Sequence, residues 1–332
     1  MQLKLLTFRR VAHFTTFFLV ITALLGWAAT AASIHLTGAS LTAAWGALGL
    51  AAVATFAALF WSRRAGWLVI LTTAGITAGL FQQIKPTEDR NWAFDVAHGV
   101  TARVDGDIVK LGNVRNFDWQ SIDIANVSWE ERSYDLSKLA SVDMVTSVWD
   151  SPDIAHLIVT FGFGDGLRVA FSVETRRESH EEFSSIGGFF RQFEMVLIAA
   201  TEEDILQLRT NHRQEDVRLY PLDLNAEHRR ALFLSYVKMA KMLEESPAFY
   251  HTLTRNCTTA ILPLARGIKP EMKMDWRVLM SGHLPSYIDQ LGGFGDEVAM
   301  EVREERAAIT PLALSAPEAP YSDVIRAAYR SQ

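Results

Sequence analysis

Three long apolar stretches without a formal charge fill most of the first 82 residues, and they leave few options for that part of the chain. They run over residues 11–35, 41–61 and 66–82, and none contains Asp, Glu, Lys or Arg. About 17–25 apolar residues in a helix cross the hydrocarbon core of a bilayer. In that medium the backbone must satisfy its own hydrogen bonds, which a helix does. A cleaved signal peptide, hinted at by Ala28, Ala29, Thr30 and Ala31, accounts only for the first stretch. The reading is a three-span anchor over residues 1–84. The third span is the shortest, with Trp67 at one interface.

Positive charges orient the anchor. Lys4, Arg9 and Arg10 precede the first span, and Arg63 and Arg64 separate the second from the third. The loop between the first two spans carries no formal charge. By the positive-inside rule the N-terminus and the second loop are cytoplasmic, so everything after about Gln83 lies on the opposite side. The expected location is a membrane, with the C-terminal part outside the cytoplasm. Net charge is −6 for the chain and +5 for residues 1–84, which leaves −11 for the remainder. An acidic domain is a poor partner for nucleic acid. It also gains little from anionic headgroups. The short link between Gln83 and Trp92 holds it near the bilayer.

The remaining 248 residues suffice for one large domain. Residues 100–104 and 107–111 read as a hairpin around Asp105-Gly106. Residues 154–163 and 167–173 form a second around Gly164-Asp165-Gly166. No helix follows these glycines, so they make a turn and not a phosphate loop. Residues 193–199 and 217–220 read as strands. Thr201 opens a short helix through Leu208, and Asn225 caps a long one with Leu232, Tyr236, Met239 and Leu243 at helical spacing. Hairpin strands with helices on one side give an α+β domain over 85–310. The Pro-, Ala- and Ser-rich 311–320 region makes 311–332 a loosely ordered tail.

Cys257 is the only cysteine. Beyond the membrane a lone thiol forms no internal disulfide, so it is either an inert buried residue or a nucleophile. Asn256 before it reads as an N-cap. A thiol in a first helical turn faces unpaired N–H groups that favour the thiolate. Of nine histidines, none has a metal-ligand spacing such as H-E-x-x-H, and neither a metal nor a cofactor is expected. His156 stands apart as a polar residue inside an otherwise apolar strand. It reads as a hydrogen-bonded core histidine or as a general base. If the turn centres on Asp165, paired indices sum to about 330 and His156 faces Glu174. Glu174 then orients the imidazole, provided the register does not slip by one, or pairs with Arg176.

Five segments carry a family resemblance: WEERSYDLSKL at 129–139, DIAH at 153–156, SVETR at 172–176, GFFRQFE at 188–194 and PAFYHTLTRNCTT at 247–259. Across residues 88–290 the chain resembles the periplasmic domain family typified by the bacterial lipoprotein N-acyltransferase Lnb. The resemblance implies a permuted papain-like fold with a Cys–His site, which falls on Cys257 and His156, the histidine strand preceding the cysteine helix as here. It also implies a thiol acyltransferase taking a fatty acyl chain from a membrane glyceride ester and passing it to a lipoprotein N-terminus. An NlpC-type cell-wall peptidase or amidase and a non-enzymatic envelope scaffold are the other readings. The residues leave the donor, the acceptor, the choice between transfer and hydrolysis, and the oligomeric state open.

Overall fold

In the computed structural model, which describes residues 2–87, 89–316 and 319–330, the chain forms two compact units. Helices α1 (Gln2–His35), α2 (Gly38–Trp61) and α3 (Arg63–Gln82), with the segment Phe189–Gln192, make the first. Phe17, Ile21 and Ile70 are its buried centre, flanked by Leu59 and Trp67. Ser62 ends α2 and caps α3 by accepting from the Ala65 amide at 3.1 Å. Outward positions stay apolar: Phe60 is 94% exposed, Trp61 91% and Leu50 73%. That much exposed apolar surface is unfavourable in water and ordinary in lipid. All three helices are long and apolar enough to cross a membrane. They begin earlier than composition predicts, because a helix propagates through Gln2 and Arg63 once the apolar part has formed it.

The second unit is an α+β domain around one sheet. Its strands are β1 (Thr101–Asp105), β2 (Ile108–Arg115), β5 (Trp129–Asp135), β6 (Leu139–Val148), β7 (His156–Phe163), β8 (Arg168–Arg176), β9 (Glu194–Ala200), β10 (Asp216–Pro221) and β11 (Ala248–Phe249). A small separate ribbon pairs β3 (Asp118–Trp119) with β4 (Ala125–Asn126). The main path is β1-β2-β9-β8-β7-β6-β10, with β5 beside β2 and β11 beside β9. The sheet is mixed and not purely antiparallel, because β2 and β9 run parallel through Val114–Ala199 and Arg115–Ala200. The β7–β8 pairs, such as Ile158 with Ser172 and Phe161 with Val169, keep the register centred on Asp165.

Helices cover both sheet faces, where the sequence predicts one. Alternation sends Leu157, Val159, Phe161, Phe171 and Val173 to one side. There α5 (Ala226–Glu245) inserts Phe233 and Tyr236, whose rings sit 5.1 Å from Phe161 and 4.9 Å from Phe171. Asn225 caps α5 by accepting from the His228 amide at 2.8 Å. Val145, Ile158, Ala170 and Ile198 face the other side, against α4 (Glu202–Gln207) and the C-terminal helices. A strand buried on both faces cannot show a hydrophobic alternation, which is why the second layer is not legible in the sequence.

Residues 311–332 are expected as a loose tail, yet their described part packs. Along helices α7 (Thr310–Ser315), α8 (Tyr321–Val324) and α9 (Ala327–Arg330) and their connections, Ala313, Tyr321 and Ile325 are buried. Arg326 donates to Asp143 at 2.7 Å and to Glu202 at 2.8 Å, and both carboxylates are buried. Pro311, Ala313 and Ser315, part of the composition that reads as a linker, lie within the helix Thr310–Ser315.

Candidate active site

His156, the first residue of β7, projects where β7 and β8 end together. Its Nε2 lies 2.6 Å from Ser172 Oγ and 3.1 Å from Glu174 Oε1. Ser172 in turn donates to Glu174 at 2.7 Å. Positions 172 and 174 share a face because side chains alternate along a strand. The register that opposes Ile158 to Ser172 brings Glu174 level with His156. Glu174 is therefore the partner of His156 and does not pair with Arg176, which donates to the Val96 and Ala97 carbonyls at 3.3 and 2.7 Å.

Arg209 completes this side of the site. It sits in a π-helical turn, Leu208–His212, directly after α4. Its guanidinium donates to Glu174 at 3.0 Å and to the Ile205 carbonyl at 2.9 Å, and stands 4.0 Å from buried Glu215. Burial works against a charged Glu174, but His156, Arg209 and the Ser172 hydroxyl outweigh it and hold the carboxyl well below the usual range. Burial likewise disfavours the imidazolium. The Glu174 charge and contact with Cys257 overcome that and push His156 up to about 9. At neutral pH the ring is charged and fixed in orientation.

Cys257 is half-buried beside His156, close enough to favour the charged form of the ring. The ring's Nε2 is committed to Ser172 and Glu174. Cys257 Sγ also lies 3.9 Å from the Ala155 carbonyl. Ser281 anchors that backbone, accepting from the Ala155 amide at 2.9 Å and donating to its carbonyl at 2.6 Å. Tyr250, which ends the segment after β11, is close enough that Cys257 and Glu174 add to burial in raising its hydroxyl.

The turn carrying Cys257 is capped as its composition predicts, but no regular helix follows. Asn256 Oδ1 accepts from the Thr258 and Thr259 amides at 3.1 and 2.8 Å, and Thr259 Oγ1 accepts from the Asn256 amide at 2.9 Å. That is a reciprocal cap. The regular helix, α6 (Leu262–Arg266), begins only at Leu262, with Pro263 in its first turn, and is five residues long. The dipole argument for the thiolate therefore falls away, and His156 supplies the local positive charge. Because Asn256 occupies the Thr258 amide, the Cys257 amide is the N–H near the sulfur without a protein acceptor among the described residues.

The sequence-predicted set of Cys257, His156 and Glu174 is thus brought together in space. Ser172 and Arg209 were not foreseen. The hairpin argument that gives Glu174 also reaches Ser172, two residues away on the same face. Nothing local marks Arg209, which comes 35 residues after Glu174. Among the described residues no cluster of His, Cys, Asp and Glu is arranged to hold a metal.

Residues 125–282 match the family model described as the Lnb N-terminal periplasmic domain, a stretch that includes all five of these residues. The fold and the anchor define a membrane protein with a periplasmic-type α+β domain. The matched stretch is similar to that domain, over a narrower span than the 88–290 resemblance implies. No curated protein and no solved structure matches the chain.

Proposed function

We propose that the protein is a multi-pass enzyme of the bacterial cytoplasmic membrane, a permuted papain-like thiol acyltransferase. Cys257 moves a fatty acyl chain from a lipid ester to an amine such as a lipoprotein N-terminus. The observation that carries this reading is the Cys257–His156 contact, backed by Glu174 at 3.1 Å. With its proton already resting on His156, Cys257 works as a thiolate beside an imidazolium. The thiolate attacks the ester carbonyl and the C–S bond forms. The oxyanion is received by the Cys257 amide. As the C–O bond breaks, His156 returns its proton to the leaving glyceryl oxygen. The amine then attacks the thioester, the C–N bond forms, the amine proton passes to the now neutral His156, and the C–S bond breaks to release the sulfur as a thiolate, which restores the starting pair.

Intact-protein mass spectrometry with phospholipid present and acceptor amine withheld tests this directly. A fatty-acyl mass increment, released by neutral hydroxylamine and absent in Cys257→Ala, is the expected result. An increment that persists in Cys257→Ala removes Cys257 as the carrier. No increment, together with cleavage of a muropeptide, selects the NlpC-type hydrolase.

A further inference from the structure

The second unit contains an apolar cavity of about 360 Å³. One wall is the sheet, through Met144, Leu157 and Val159. The opposite walls are Leu232 and Tyr236 of α5, Ile261, Leu262 and Ala265, and Val278, Leu284 and Ile288. Neither Cys257 nor His156 lines it, but Thr258, the chain neighbour of Cys257, does, and Cys257 packs against the same core cluster that forms the walls. Its far rim carries Asp223, His228, Lys269 and Glu271. Asp223 and Glu271 are exposed, which marks that end as the opening to water. Between the rim and Thr258 the lining is almost wholly aliphatic or aromatic.

We propose that this cavity holds a single fatty acyl chain, the one carried as a thioester on Cys257. The proposal rests on the acyl-transfer reading above and adds where the chain lies. An aliphatic chain suits walls that offer dispersion contacts and almost no hydrogen-bond partners. The volume admits roughly a dozen methylene-sized groups, taking for each about the 30 Å³ share of a water molecule. A polar headgroup or a peptide finds few partners in the body of the cavity, among them the Tyr236 hydroxyl, which is unpaired among the described residues, and is left with unsatisfied polar atoms. The carbonyl carbon sits at Cys257, and the chain runs past Thr258 and Ile261 towards the Asp223–Glu271 rim.

Two measurements on the full chain in polymer-bounded bilayers test the proposal. The first compares thioester yield from dioctanoyl and dipalmitoyl phosphatidylcholine. Ala265→Phe fills part of the cavity from α6 and is expected to shift the short-to-long ratio by about tenfold or more, since one methylene in an apolar pocket already counts for that much. Ile268→Ala, which enlarges it, is expected to shift the ratio the other way. Unchanged ratios in both folded variants overturn the cavity assignment. The second uses Cys257→Ala and a phospholipid with a photoactivatable diazirine at the chain end. Crosslinks at residues such as Leu232 and Ile288 support the cavity whether or not transfer occurs. Crosslinks confined to residues 11–82 overturn it. Cavity crosslinks without any thioester in the wild type mean that the acyl-transfer reading fails while the binding site stands.

Discussion

Glu174→Gln is the sharpest test of the site, because the amide keeps the shape of the side chain and removes only its charge. His156 is pushed from its ordinary value of about 6.5 up to about 9 despite burial, and Glu174 is the largest favourable cause. At 3.1 Å and an effective dielectric of about 20, the attraction between the two charges is about 5 kcal/mol. Burial offsets part of this, and the net displacement of His156 corresponds to about 3 kcal/mol. The sign follows directly. A raised histidine keeps its proton until the pH passes the raised value, so acylation that needs the imidazolium is lost in the wild type as pH rises through about 9. Without the carboxylate, burial is opposed only by Cys257, and the loss moves to about 6.5 or lower. At pH 8 the charged fraction of His156 then falls by about 30-fold. The assay is the initial rate of thioester formation against pH, measured for both proteins by quenched-flow mass spectrometry. A Glu174→Gln basic limb that stays near its wild-type position refutes the claim that this carboxylate holds the charge on His156.

Cys257→Ser replaces the thiol with a hydroxyl of much higher pKa and is expected to abolish transfer. His156→Ala is expected to lower it by about 10²–10⁴-fold while the domain still unfolds cooperatively by circular dichroism. Arg326→Ala leaves Asp143 and Glu202 buried with Arg168, 3.8 Å from each, as the nearby cation among the described residues. It is expected to destabilise the domain by about 3–5 kcal/mol in denaturant unfolding. A change under about 1 kcal/mol would place the C-terminal helices outside the cooperative unit. A reporter active only outside the cytoplasm is expected to work when fused after Gln332 and to be silent after Arg64. The reverse pattern would put Cys257 in the cytoplasm and end the lipoprotein reading.

What the sequence determines here is local. Uncharged apolar length sets the three helices of the anchor, because only a self-satisfied backbone survives in lipid. The Gly164-Asp165-Gly166 turn fixes the β7–β8 register, and with it the pairing of His156 with Glu174, since a short turn leaves two strands one way to meet. The caps at Thr201, Asn225 and Asn256 involve residues three or fewer apart. Tertiary structure decides the rest. The regular helix expected after Cys257 gives way to a capped turn, where Pro263 removes an amide that a longer helix would use. The second helical layer is hidden because strands buried on both faces carry no alternation. Arg209 reaches Glu174, and Arg326 reaches Asp143 and Glu202, across 35 and 183 and 124 positions. Such partners are joined by packing of whole layers, and a buried charge selects its counterion from whatever element that packing brings near.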